Sequence, residues 1–521
     1  MITYSPLGSE ITVNTTYARS QSHADTALLA DGRLVVSWLD YQPGTSVGKY
    51  VRLQLLEADG TPAGGEVTVT GPLNGAGQPT VTGLAGGGYV VAWDGSGGTK
   101  AQVYDSAGAP VGGEVTLVAN WGGNHPDITA LADGGFAVAW EDERTVGGDV
   151  SGSGVHLRTF DASGVATSPD LLVNTTTPGD QCMVSVAALA GGNRVVTWFD
   201  DAVGAAPNAM RAQIFDAAGV RVGGEITVSG AGTFVGEATA PVTALANGNF
   251  AIAWHQSDAA YALSHRVQIF SASGERLGGE IAAPPGSGSE TGPALAALTD
   301  GSLALAWVGY DGSGMGRGVL VQVFDAGGTA FGEPAVVNTQ TNGDQTDPAL
   351  VALADGGFAI TWIDRNGAGA DDDEVRMQLF ARSGTLDPVT IGSDGGGDTA
   401  ALALDENGLA VTQVAASGGL GALAYAIAGG ADAARFAIDA ATGALSFADA
   451  PDFEAPADAD GDNVYEVVVA ASDGVRSDTQ ALAVSVTGLD EALVITSNGG
   501  GATAAVELDE GTTAVATVVA V

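Results

Sequence analysis

The feature that most constrains this chain is a tryptophan recurring seven times at the end of one kind of apolar run. "LVVSW", "YVVAW", "FAVAW", "RVVTW", "FAIAW", "LALAW" and "FAITW" close on Trp38, Trp93, Trp140, Trp198, Trp254, Trp307 and Trp362, at separations of 55, 47, 58, 56, 53 and 55 residues. Spacing of this kind marks one supersecondary unit copied along the chain. Each copy opens with a short apolar run such as "TALLA" and a tight turn, at Asp31-Gly32, Asp133-Gly134, Asn247-Gly248, Asp300-Gly301 or Asp355-Gly356. The tryptophan run follows, then a variable polar loop, a third run such as "RAQIFDAAG" and a fourth such as "GGEITV". Positive φ costs these turn residues little, so the dipeptides predict a two-residue hairpin between the first two strands.

Four short strands per copy, each with apolar neighbours on both faces, describe the blade of a β-propeller, and seven blades close a ring. The fourth-strand pattern also stands ahead of the first full copy, where "PLGSEITVNT" (6–15) mirrors "RVGGEITVSG" (221–230). Residues 10–15 are therefore expected to form the outer edge of the seventh blade, paired with "RMQLF" (376–380), so that no strand edge is left open. An open solenoid would need capping repeats, which the sequence does not show. A tryptophan at one strand position in every copy is what packing between adjacent blades predicts; a ring of sugar-stacking aromatics is the alternative.

The 61 acidic and 18 basic residues give a net charge of −43, and Lys49 and Lys100 are the only lysines. Nucleic acid is excluded as a partner, because phosphate binding needs clustered cations; solubility at high salt or affinity for divalent cations fits better. The single cysteine, Cys182, rules out an internal disulfide framework and reads as a small apolar residue on a strand. No run of eighteen apolar residues suits a transmembrane helix, and "MITYSPLGSE" lacks the apolar core of a signal peptide. An extracellular or cell-surface location would then require a bacterial, non-Sec export signal elsewhere.

A second internal similarity begins where the tryptophan repeat stops. Residues 391–417 align without gaps to 495–521, with 15 identities in 27 positions at an offset of 104. The expected organisation is a seven-bladed propeller over 1–390, a second domain over 391–492, and the start of another copy of it over 493–521.

Within that second domain, "LAYAIAGGADAARFAIDAATGALSF" followed by "PDFEAPADADGDNVYEVVVAASDG" resembles the cadherin-like domains of large bacterial exported proteins, of the type I-secreted kind with calcium-binding glycine repeats (RTX). The resemblance implies a Greek-key β-sandwich, making the whole chain all-β. It also implies Ca²⁺ ligands at Glu406 in "LDEN", Asp452 and Glu454 in "PDFE", and Asp490 with Glu491 in "GLDEA". Calcium takes six to eight hard oxygens, and carboxylates gathered from three segments suit it. Two departures from the family pattern matter. Gly488 stands where the family has an aspartate, and "SGG" (417–419) replaces its Asp-x-Asp, leaving Asp473 of "ASDG" without its usual partners. Calcium is therefore expected between the two copies of this domain, not toward the propeller. "DADGDN" (458–463), with Asp458, Asp460 and Asp462, is either a further cation loop or a solvated hairpin tip, and "DRNGAGADDDE" (364–374) reads as a solvated acidic loop.

Propeller glycosidases need an arginine cluster for an acidic sugar or two convergent carboxylates. The arginines here are scattered, and His23, His125, His156, His255 and His265 show no metal-ligand spacing; His255, directly after Trp254, reads as a loop residue. The expectation is a non-enzymatic, calcium-binding adhesion protein whose partners are other cadherin-like domains, as in homophilic contact, or a cell-surface protein or glycan. The alternative is a carbohydrate-binding or glycan-processing propeller with a cadherin-like spacer. Exposed aromatics, or paired carboxylates at one mouth of the ring, would favour that alternative.

Overall fold

The structure is a computed structural model that describes residues 3–489 except 16–19, 42–47, 74–76, 96, 119–122, 144–151, 202–207, 230–238, 258–262, 284–291, 315, 366–372, 384–388, 419–422 and 473–476, together with Val518. Among these residues there is no α-helix, and none is long and apolar enough to cross a membrane. The chain divides into two compact units, with the boundary between Asp387 and Pro388.

The first unit holds seven four-stranded antiparallel sheets. The inner strands of blades 1 to 7 are Ser20–Leu28, Thr80–Gly83, Gly123–Ala130, Asp180–Ala188, Val242–Ala244, Ala294–Ala297 and Asp344–Ala352. Each touches the next, and that of blade 7 touches that of blade 1, which closes the propeller. Thr3–Thr12 forms the outer strand of blade 7 against Glu374–Ser383, with Ile11 opposite Met377, Thr12 opposite Arg376 and Pro6 opposite Phe380. The expected ring closure is present and reaches further toward the N-terminus than residues 10–15.

The seven tryptophans are all at most 2% exposed, and strand period explains their use. Each indole faces the preceding blade, while the small residue just before it faces the following one. Trp198 of blade 4 packs on Ala137, Ala139, Val155 and Leu157 of blade 3, and Trp307 of blade 6 packs on Ala251, Ala253 and Val267 of blade 5. These side chains are core, so the sugar-stacking alternative does not apply to them. The hairpin turns differ from expectation. Leu29 and Arg33 pair across a three-residue loop, Gly32 N–H donates to Leu29 O at 3.0 Å, and only Gly32 has positive φ. A type I turn completed by a left-handed glycine replaces the two-residue turn, which needs positive φ at both positions. His255 is also not a loop residue: it lies in the strand Phe250–Ser257, is 1% exposed and faces His265 across the ladder.

A second recurrent motif, legible in the sequence but not read there, staples blades together. "VNTTYARSQ", "VNTTTPGDQ" and "VNTQTNGDQ" lead into blades 1, 4 and 7. Asn14, Asn174 and Asn338 accept from Val375, Val155 and Val319 N–H of the preceding blade at 2.8, 2.9 and 2.9 Å. Their amides donate to Gln21, Gln181 and Gln345 of the blade being entered at 3.4, 2.8 and 3.0 Å. Asn174→Ala orphans a buried N–H at the junction, and we expect a loss of about 1–3 kcal/mol, read by urea denaturation.

The second unit begins with Thr390–Ile391 paired to Ala416–Ser417. A four-stranded sheet follows, ordered Thr399–Asp405, Ser477–Thr487, Val464–Ser472, Ala424–Gly429, in which the first pair is parallel. It packs on a three-stranded sheet of Ala410–Gln413, Ala444–Phe447 and Phe436–Ile438. Alternation along Val464–Ser472 turns Tyr465, Val467, Val469 and Ala471 inward, where Tyr465 meets Phe447 edge-on at 5.1 Å.

Candidate functional site

The inner strands of blades 1, 3, 4 and 7 each carry a β-bulge at the same place, and the bulged residues His23, His125, Met183 and Asp347 have φ of 52°, 46°, 54° and 52°. Left-handed backbone is unfavourable for such residues and recurs where a bulge re-aims a side chain. Here it sets them at one mouth of the central channel, in a cavity of about 590 Å³ whose wall includes the inner strands of all seven blades. Gln78, Thr239 and Gly292 occupy this level in blades 2, 5 and 6.

Two residues further along the inner strands, blades 1 to 4 present Asp25, Thr80, Asp127 and Ser185, while blades 5 to 7 present Pro241, Ala294 and Ala349. The channel is thus polar on one side. Thr80 Oγ1 lies 3.0 Å from Asp25 Oδ2 and 3.3 Å from Asp127 Oδ1, which puts the two carboxylates within two hydrogen-bond lengths of each other. Asp25 also accepts from Val81 N–H of blade 2 at 2.7 Å, and Asp127 from Val186 N–H of blade 4 at 2.8 Å. Both groups therefore join blades as well as line the lumen.

Both aspartates border the lumen, are partly exposed to it and are otherwise surrounded by protein. Desolvation, reinforced by the charge of Asp127, pushes the Asp25 carboxyl up to about 6 against the hydrogen bonds from Val81 and Thr80. Desolvation also raises Asp127 and Asp94, the latter accepting from Gln78 N–H at 2.6 Å. His23 is lowered by desolvation, opposed by the charges of Asp347 and Asp94. His125 Nδ1 lies 3.0 Å from Glu141 Oε2; donation to that carboxylate leaves the basic lone pair on Nε2. The site thus holds a carboxyl that stays protonated to mildly acidic pH beside further carboxylates and imidazoles, the kind of set used for proton transfer.

A raised carboxyl binds its proton more tightly folded than unfolded, so its contribution to stability is present at low pH and lost as pH rises through the folded value. With Asp25 near 6 against an ordinary 3.8, the unfolding free energy is expected to fall by on the order of 2–3 kcal/mol between about pH 4 and pH 7 from this group. Urea denaturation across that range should show the slope, and Asp25→Asn should flatten it.

The second unit brings together part of the set expected from sequence. Glu406, Asp452 and Glu454 have carboxylate oxygens within 4.8 Å of one another, as do Asp458, Asp460 and Asp462. Glu406 accepts from Phe453 N–H at 2.9 Å and Leu489 N–H at 2.6 Å, and these bonds lower its carboxyl. Asp460 is raised, chiefly by the charge of Asp462. Asp473, Asp490 and Glu491, together with 493–521 apart from Val518, lie outside the described residues. A depression of about 580 Å³ on the three-stranded sheet is walled by apolar residues such as Val411, Ile438 and Leu445 together with Thr412, Gln413 and Ser446, and its one carboxylate, Asp439, accepts from Ala441 and Thr442 N–H.

No protein-family model matches the chain, and no curated protein does. Solved structures similar to it include a protein of unknown function from Dyadobacter fermentans, at 10% identity and a TM-score of 0.44, covering 73% of this chain and 98% of that one. An α-L-arabinanase from Penicillium chrysogenum is similar at 14% identity and a TM-score of 0.40, covering 71% and 98%. A sialidase from Streptococcus pneumoniae is similar at 9% identity and a TM-score of 0.41, covering 72% and 70%. Enzymes stand among these neighbours, so the expectation that the chain is no enzyme is corrected and is not carried further. None of the three is described as a cadherin-like or adhesion protein.

Proposed function

We propose that the propeller binds or processes a glycan at the channel mouth, with the second unit as a cadherin-like spacer and the protein placed outside the cell or on its surface. The observation that carries this reading is the pairing of Asp25 and Asp127 in a cavity that also holds His23, His125 and Asp347. A pocket of this size with a few convergent polar groups and displaced carboxyls is the physical signature of a small-ligand site. In a processing reaction, Asp25 is the proton donor to a leaving oxygen and Asp347 the partner carboxylate. The test is a glycan array followed by reducing-sugar release with purified protein, beside Asp25→Asn and Asp347→Asn. A processing site predicts loss of turnover by about 10²-fold or more in Asp25→Asn; a binding-only site predicts retention without turnover, lost on Asp347→Asn. Absence of retention and turnover across the array would end the reading.

The convergence of Glu406, Asp452 and Glu454 favours a second reading, in which the spacer binds Ca²⁺ as a cadherin-like domain does. Three carboxylates from two segments form an incomplete shell, so affinity is expected at about 10⁻⁴–10⁻³ M. A ligand selective for the folded state stabilises it by mass action. Millimolar calcium should therefore raise the melting temperature of the second unit, and Asp452→Ala should abolish the shift. An equal shift in the variant would reduce these residues to a solvated acidic end.

A further inference from the structure

Resting on the glycan reading of the channel mouth, we propose that the preferred ligand is a glycan bearing free, protonated amines, that is, an amino sugar that has lost its acyl group. The wall of the cavity contributes Asp25, Asp127 and Asp347, and among the described residues lining it there is neither arginine nor lysine. Asp94 adds a further carboxylate that acts on His23 from just beyond the second strand of blade 2, which ends at Trp93. Lys49 and the strand arginines have partners of their own, and of these Lys49 still acts on His23. Lys49 Nζ sits 5.0 Å above the ring of Tyr41. Arg52 donates to Asp40 at 2.6 Å, Arg211 pairs with Asp200, and Arg376 lies 3.6 Å from Asp364.

Charge complementarity then sorts the sugars. Carboxylates crowded in an enclosed space oppose one another's ionisation, and a cation placed among them relieves that opposition. An ammonium group gains attraction from several carboxylates at once in a place where water screens poorly. A neutral or N-acetylated sugar has only hydrogen bonds to offer here. A uronic or sialic acid adds a like charge with no guanidinium to receive it, which excludes it by repulsion. The carboxyl of Asp25, pushed up to about 6, adds a direction: affinity for a protonated amine rises as it ionises on going from mildly acid to neutral pH, and the raised carboxyls of Asp94 and Asp127 act in the same sense.

The test is calorimetric titration of the whole protein near pH 6 with three trisaccharides: glucosamine, N-acetylglucosamine and galacturonate. The free-amine sugar should bind about tenfold tighter than the acetylated one, a margin of about 1.4 kcal/mol. The galacturonate should not bind. High salt should shrink the margin, and so should Asp347→Asn, which alters one of 61 acidic residues and keeps a residue tolerant of the left-handed backbone there. Asp94→Asn is the second variant, since it retains an oxygen for Gln78 N–H. Equal or tighter binding of the acetylated sugar, or a margin untouched by both variants, would overturn the inference while leaving a glycan site standing. Trilysine binding as tightly as the amino sugar would also overturn it, by showing a cation site without sugar selectivity. If no saccharide binds, the glycan reading itself falls.

Discussion

Removing residues 1–13 is expected to destabilise the propeller by about 5 kcal/mol or more, comparable with the whole stability of many domains. The lost strand makes the outer ladder of blade 7 and covers side chains that are otherwise sealed: Val375 and Met377 are fully buried, and Leu379 and Phe380 are 2% exposed. Val13, itself fully buried, packs in the same cluster as Trp38 of blade 1, so the damage spreads across the seam where the ring closes. Tyr4 adds a tie to blade 6, its hydroxyl donating to Asp300 at 2.9 Å while its ring meets Phe358 at 5.5 Å. An open edge with exposed apolar residues also invites intermolecular pairing. The measurement is thermal unfolding and size-exclusion of the truncated chain, with a synthetic 1–15 peptide supplied in trans. Recovery of the melting temperature with the peptide assigns the loss to the missing strand. A truncated chain that melts like the full one would show that blade 7 is stable with three strands.

The second large effect is expected from Trp198→Ala, at about 3–5 kcal/mol. Trp198 is fully buried between blades 3 and 4, and its indole N–H has no hydrogen-bond partner among the described residues, so the expected loss is one of packing. Ala137 and Ala139 have too little volume to follow the void, and the surrounding strands are held by two ladders each. Trp198→Phe refills part of the space and should recover roughly half of the loss. The same substitution should leave glycan retention intact at temperatures where the protein stays folded, because the indole does not reach the channel. Loss of retention without loss of stability would return the tryptophans to ligand contact.

How much of this was legible beforehand follows from the range of the interactions involved. The repeat, the blade and the N-terminal closing strand are local patterns of alternation and turn residues copied seven times, so a one-dimensional reading finds them. The approach of Glu406, Asp452 and Glu454 to one another was expected from the resemblance of "LDEN" and "PDFE" to cadherin-like motifs. The turn type escaped because Asp-Gly suits both a two-residue turn and a type I turn closed by glycine, and strand twist and register choose between them. His255 escaped because nothing in "AWHQS" says that the second strand continues past the tryptophan.

The channel mouth could not be read at all from spacing. His23, Asp94, His125 and Asp347 lie in four blades, far apart in the chain, and no motif links them. Ring closure brings their blades to one axis, and the bulges turn three of the four side chains toward it. The sequence by itself determined seven all-β copies, their shared core and a large negative charge. Only the tertiary structure decided which few of the acidic residues face one another. That choice depends on closure and on left-handed bulge residues, and burial at the axis is what separates Asp25 from a solvated carboxylate.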